Sequence, residues 1–287
     1  MHGSDQKAGE GLVLDGPLMK GRRGLVMGVA NDHSIAWGIA KTLAAHGAEM
    51  AFTFQGEAFG RRVKPLAESV GSKILVPCDV TDPESLDSVF TTLRKEWGKL
   101  DFVVHAIAYS DKNELKGRYV DTTRENFLRS MDISCFSFTD VARRAAEIMP
   151  DGGAMVTLTY EGAQRVMPNY NVMGVAKAAL EASVRYLAAD LGRDGIRVNA
   201  ISAGPMRTLA GSAIGDARFV HKWNKTHSAL KETIELEHVG GAGLYLLSDL
   251  SARVTGEIHH VDSGFNIIGM PRAEEMKASD FDGGNGS

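Results

Sequence analysis

The strongest constraint on the fold is an alternation that runs almost unbroken along the chain. Short apolar and β-branched runs at residues 24–27, 50–54, 74–76, 102–105, 154–159, 197–201 and 257–261 read as strands. Longer stretches with helical periodicity separate them, at 35–46, 57–70, 83–97, 122–148, 169–191 and 234–247. Strands that alternate with helices of this length require right-handed crossovers, and therefore a parallel sheet covered by helices on both faces. The expected fold is α/β, a single doubly wound Rossmann-like domain over residues 18–270 with seven strands. Its ligand belongs outside the carboxyl ends of the strands, where the strand order reverses. With 287 residues and 44% hydrophobic content the chain can bury one large core, and no repeat or low-complexity linker divides it. Residues 1–17 and 271–287 are polar and Gly-rich and are expected to be flexible tails. The segment 204–228 breaks the alternation with small and apolar residues after Gly204-Pro205, and is expected to be a lid over the ligand.

Charge and cysteine usage exclude several classes of function. A formal net charge of −4 argues against a nucleic-acid binder that works by counterion release. No run approaches the ~18 apolar residues of a membrane span, and the amino-terminal residues lack an apolar signal core. The two cysteines, Cys78 and Cys135, have neither CxxC nor zinc-ligand spacing, which predicts free thiols, no metal site and a cytoplasmic protein.

Chemistry concentrates in TLTYEGAQRVMPNYNVMGVAK, which carries Tyr160, Tyr170 and Lys177. Residues seven apart on a helix return to one face after two turns less about 20°, with roughly 10.5 Å of rise between them. A single helix can then hold a ribose with Lys177 and a substrate oxygen with Tyr170. Tyr160 follows a strand end and can order the substrate or a proton-supplying water. These residue types in this order are what a nicotinamide-dependent oxidoreductase requires.

A dinucleotide site can be assembled from the other strand ends. The first connection, GVANDHSIAWGIA, is not a GxGxxG fingerprint, but Gly28 permits a tight turn, Ser34 can cap the helix and donate to a phosphate, and the N–H groups from Ile35 onward can receive a pyrophosphate. Gly38 and Ala40 allow close approach of that helix. Asp79-Val80 follows the third strand; Asp79 either accepts the adenine amino group or caps the helix that begins at Pro83. Small residues around Ile107 and Ala108 let the chain run beside the cofactor, and ISAGPMRT brings Met206 and Thr208 toward the nicotinamide. Gln55 occupies the position at the end of the second strand where a carboxylate normally selects NAD. An amide there favours NADH over NADPH, although Arg61, Arg62 and Lys64 follow.

The stretches GVANDHSIAWGIAK, TLTYEGAQRVMPNYNVMGVAKAALEASVRYLA, RVNAISAGPMRTLA and TGEIHHVDSG occur in an order that resembles the divergent short-chain dehydrogenase/reductases, and within them the bacterial enoyl-acyl-carrier-protein reductases. The resemblance spans about residues 18–270. It implies reduction of trans-2-enoyl thioesters with NADH in the last step of type II fatty acid elongation. By the same resemblance Tyr170, Lys177 and Tyr160 are catalytic, and Ala108, Met206 and Leu209 line the substrate site with the two tyrosines. Ala108 stands where the family often has Gly, and Ala217 where some members have a large aromatic residue. An acyl carrier protein is the implied partner, received by Arg218, Lys222 and Lys225 on the lid, and a homotetramer is the implied assembly. Two readings stay open beside this one, a ketone or alcohol dehydrogenase and a non-catalytic dinucleotide binder.

Overall fold

The computed structural model describes residues 16–206 and 217–270. The readings placed on residues 1–15, 207–216 and 271–287, among them most of the tails, Thr208 and Leu209, lie outside the described residues, as does the side chain of Ala217. Seven strands form one sheet: β1 (Arg23–Met27), β2 (Glu49–Phe54), β3 (Ile74–Pro77), β4 (Phe102–His105), β5 (Gly153–Thr159), β6 (Ile196–Ala203) and β7 (Ile258–Val261). Their order is β3-β2-β1-β4-β5-β6-β7, and every pairing is parallel. The helices are α1 (Ile35–Ala45), α2 (Gly56–Ser69), α3 (Pro83–Trp97), α4 (Arg124–Met131), α5 (Ser137–Ala146), α6 (Asn171–Leu191), α7 (Ala217–His227) and α8 (Leu236–Leu247).

Period-two alternation along each strand sends neighbouring side chains into two separate cores. On one face Val26, Phe102, Val104, Val156 and Ile201 pack with Ile39 of α1, Val63 of α2 and Val239 of α8. On the other, Leu25, Val103, Met155 and Val198 pack with Leu86 of α3, Phe138 of α5 and Leu180 of α6. Strands buried on both faces must be apolar throughout, which is why they read as continuous runs. Each fully buried Leu, Val or Phe contributes about 1.5–3 kcal/mol to holding these layers together.

Gly28 follows β1 with φ +98°, and a Cβ there would lie 2.1 Å from the Ala106 carbonyl oxygen, so the chain leaving β1 runs directly against the end of β4 with no side chain between them. Gly38, expected to bring α1 close to the sheet or cofactor, instead meets α8: its Cβ would lie 2.8 Å from the Leu236 carbonyl oxygen. Asp82 caps α3 by accepting from the Glu84 N–H at 3.0 Å with Pro83 in the first turn, so Asp79 is not the cap.

The pattern predicts one helix over 122–148, whereas the structure interrupts it. Residues Asp132–Phe136 form a π-helical segment between α4 and α5. Ser134 Oγ donates to the Tyr109 carbonyl at 3.0 Å and Ser137 Oγ donates to the Ile133 carbonyl at 2.7 Å. Hydroxyls that bond to backbone in this way compete with the regular ladder, and π segments recur beside functional sites.

Candidate active site

A cleft of about 1560 Å³ runs along the carboxyl ends of β1 to β6, across the reversal between β1 and β4. Gln55, Asp79 and Val80 line one end; Gly28, Ser34, Ile35, Ile107 and Ala108 line the middle; Tyr160, Tyr170, Lys177 and Met206 line the other end. Every described residue assigned to the site from the sequence therefore faces one cavity.

Gln55 Nε2 donates to Asp79 Oδ2 at 3.0 Å, and Asp79 Oδ1 also accepts from the Thr81 N–H at 2.9 Å and hydroxyl at 2.7 Å. The Thr81 N–H, then its hydroxyl, hold the Asp79 carboxyl below the usual carboxylate range, so this end presents an ionised acceptor. Ser34 needs correcting. It stands at the N-cap of α1, but its hydroxyl makes no cap bond. Its Oγ turns back and accepts from the N–H groups of Ala30 at 2.9 Å and Asn31 at 3.1 Å, shaping the loop and leaving the first N–H groups of α1 open toward the cleft.

Tyr170 is the N-cap residue of α6, just ahead of its first turn, and Lys177 lies two turns on. Asn169 and Asn171 flank Tyr170 with φ of 57° and 38°, the left-handed region where strain persists only when surroundings enforce it. Asn171 Nδ2 donates to the Glu114 and Gly117 carbonyls at 3.2 and 3.3 Å, which supplies part of that enforcement. The Tyr160 and Tyr170 rings meet edge to face, centroids 5.0 Å apart and planes at 74°. Among the described residues neither phenol hydroxyl has a hydrogen-bond partner, so both are available to a ligand. Burial pushes the Tyr160 phenol up to about 12, with the neighbouring Glu161 charge adding to it. Burial also raises Tyr170, with Tyr160 and Glu181 acting the same way. Both phenols stay protonated at neutral pH and act as donors.

Lys177 is 6% exposed and donates to the Leu158 carbonyl at 2.7 Å. Burial lowers its pKa to about 8, while the Cys135 and Glu181 side chains act in the opposite direction. His105, fully buried between the hydroxyls of Thr157 and Ser137 at 3.1 and 2.9 Å, is driven down to about 3 by burial and by the Lys177 charge. It is therefore neutral, and Lys177 carries the positive charge of this region.

The residues fit a nicotinamide dinucleotide on the structure's own terms. An ammonium has three donors, and Leu158 takes one, leaving two for a ribose diol. The ionised acceptor at Asp79 suits an amino group at the other end of the cleft. Cys78 and Cys135 are both free and buried. Among the described residues no group of three or more potential ligands could hold a metal, and no helix is long and apolar enough to cross a membrane.

Several residues packed around these side chains carry no sequence signal of their own. Gly162 packs under the Tyr170 ring, where a Cβ would lie 2.3 Å from it. Glu161 buries both carboxylate oxygens without a hydrogen bond, although Arg165 Nε stands 3.1 Å from one of them. Glu181 lies one turn beyond Lys177 and binds the Thr159 hydroxyl. The spacing of four between Lys177 and Glu181 was the one available signal, since such pairs share a helix face.

A buried ammonium and a phenol on one helix, at the mouth of a doubly wound sheet, define a dinucleotide-dependent oxidoreductase of the short-chain dehydrogenase/reductase kind. A family model described as Enoyl-(Acyl carrier protein) reductase matches residues 28–266. The chain is 68% identical over 265 residues to "Enoyl-[acyl-carrier-protein] reductase [NADH] 2" of Rhizobium meliloti, covering 92% of this chain and 99% of that protein. The crystal structure of FabI from Candidatus Liberibacter asiaticus superposes with a TM-score of 0.88 at 58% identity, covering 90% of this chain and 100% of the other. The enoyl reductase of Anaplasma phagocytophilum, solved in complex with NAD, gives 0.87 at 60% identity over 90% of this chain and 98% of its own. The chain belongs to the enoyl-(acyl carrier protein) reductase family.

Proposed function

We propose that this chain reduces the trans-2 double bond of enoyl-acyl carrier protein with NADH, in the closing step of each type II fatty acid elongation cycle, through Tyr170, Lys177 and Tyr160. The convergence of the Tyr170 phenol and the Lys177 ammonium on one end of the cleft carries this reading. NADH, when bound, supplies the hydride delivered to C3 of the substrate. As charge moves onto the thioester oxygen, Tyr170 holds that oxygen with its hydroxyl; a donor of this kind in a water-poor site contributes on the order of 3 kcal/mol to the transition state. Lys177 holds the ribose hydroxyls and favours the nearby anion by its charge. Tyr160, edge-on to Tyr170, orders the substrate or the water that protonates C2. Gln55, bonded to Asp79, offers no carboxylate against a 2′-phosphate but no cation for it either, and NADH remains the favoured cofactor. A panel of enoyl thioesters and ketones separates the readings: turnover of enoyl thioesters alone supports the reductase, turnover of ketones supports the alternative dehydrogenase.

The carrier protein is acidic by the same reading, and α7 meets it with a basic face. Arg218 and Lys222 line the cleft mouth, and Lys225 lies one turn further along α7. Reversing Arg218 to Glu is expected to raise KM for carrier-bound substrate about tenfold and to change KM for a coenzyme A thioester less than twofold. Steady-state kinetics on both substrates check this; equal effects would remove α7 from carrier docking.

A homotetramer and a cytoplasmic location complete the proposal. Leu128 on α4, Phe136 on the π segment, and Val175 and Tyr186 on α6 are exposed large apolar side chains, 58%, 56%, 37% and 76% accessible. Apolar side chains gathered on neighbouring helices in this way support a subunit interface. Sedimentation equilibrium is expected to give four times the 30.9 kDa chain mass; a monomer mass at micromolar concentration would contradict it.

A further inference from the structure

Lys177 and Glu181 stand four residues apart on α6 and so share one helix face. Each grips a different residue of the same strand end. Lys177 Nζ donates to the Leu158 carbonyl at 2.7 Å, and Thr159 Oγ1 donates to Glu181 Oε1 at 2.8 Å. Leu158 and Thr159 close β5 and lead directly into Tyr160. Glu181 is 6% exposed and Thr159 4%, so a carboxylate has been taken out of water to make this contact. An apolar residue could pack there without that desolvation cost. A buried charge kept where packing does not need it points to a role in the chemistry beside it.

We propose that Glu181 is a positioning residue of the reductase: through Thr159 it fixes the β5 end that carries Tyr160, and its negative charge balances the Lys177 ammonium one turn away. The inference rests on the reading of Lys177 as the ribose-binding cation. The charges around Lys177 come from several elements: Glu181 on its own helix, Cys135 on the π segment and His105 on β4, while Tyr170 and Glu161 face Glu181. His105 is neutral; Cys135 and then, more weakly, Glu181 act to raise the Lys177 pKa, and Glu181 is the carboxylate of the two. Burial alone works against the ammonium, so withdrawing that carboxylate charge moves the Lys177 titration to lower pH.

The test measures NADH affinity and kcat/KM against pH for wild type, Glu181→Gln, Thr159→Val and Lys177→Met. Glutamine keeps an acceptor for Thr159 and removes only the charge. In wild type, NADH affinity is expected to fall as pH rises through the Lys177 titration near 8. Glu181→Gln is expected to shift that fall to lower pH. Thr159→Val keeps the charge but opens the clasp; it is expected to leave the fall in place and to lower kcat roughly tenfold through misplacement of Tyr160. An unmoved titration in Glu181→Gln overturns the proposal. Should that variant not fold, an unchanged kcat in Thr159→Val overturns it instead. If Lys177→Met shows the same alkaline fall as wild type, the ribose-binding reading itself fails and the proposal goes with it.

Discussion

Tyr170→Phe is expected to lower kcat for enoyl thioester reduction by about 10²-fold while leaving NADH affinity within about twofold, because the lost hydroxyl serves the transition state and not the ground state. The ring is 7% exposed, sits on Gly162 and meets Tyr160 edge to face, so phenylalanine can fill the same space without moving its neighbours. Since burial raises the phenol's pKa, the donor proton is present across the working range, and the deficit should be independent of pH below the phenol's own titration. Tyr160→Phe, whose hydroxyl addresses the substrate less directly, should cost less. Stopped-flow loss of nicotinamide absorbance on both variants decides the order. A loss below fivefold for Tyr170→Phe would remove it from its assigned role.

Lys177→Met is expected to weaken NADH binding by more than about 10-fold, the effect of losing one or two charge-assisted hydrogen bonds at about 1.5–3 kcal/mol each. The same change should make the free protein more stable. A buried ammonium with its pKa at about 8, against 10.5 for a free lysine, is held charged at neutral pH at a cost of about 3 kcal/mol. The folded-state pKa is depressed, so the unfolded chain binds the proton more tightly. The penalty is therefore full below pH 8, shrinks as pH rises through 8, and vanishes toward 10.5. Loss of the Leu158 hydrogen bond, about 1 kcal/mol, and of the cation that balances the buried Glu181 offset part of the gain. The net result is a melting temperature higher by a few degrees at pH 7, with the advantage gone by about pH 10. Calorimetry across pH checks it, and a destabilised variant at pH 7 would show that Lys177 is retained for packing and not for chemistry.

Much of this was legible in the residues. Strands buried on both faces had to be apolar throughout, so runs such as Leu25–Met27 and the hydrophobic part of β5 announced themselves, and strand–helix alternation then left one class of topology. Tyr170 and Lys177 were legible because one helix carries both. The π segment at Asp132–Phe136 was not, because the apolar period runs on through it and the interruption comes from where Ser134 and Ser137 direct their hydroxyls. Ser34 was read as a cap, yet the loop captures its side chain first. The Gly162 contact with the Tyr170 ring and the Glu181 bond to Thr159 join separate elements, and beyond the spacing of Glu181 from Lys177 neither leaves a local pattern.

The Tyr170–Lys177 end of the cleft is expected to reduce an enoyl thioester at the expense of NADH. The most direct measurement is the disappearance of nicotinamide absorbance with a trans-2-enoyl-acyl carrier protein, run with NADH and NADPH in parallel, with mass analysis of the acyl product. The expected result is a saturated thioester formed in step with NADH consumption, and much slower turnover with NADPH. Tight NADH binding with no consumption on any enoyl thioester would contradict the claim and leave a dinucleotide binder without catalysis.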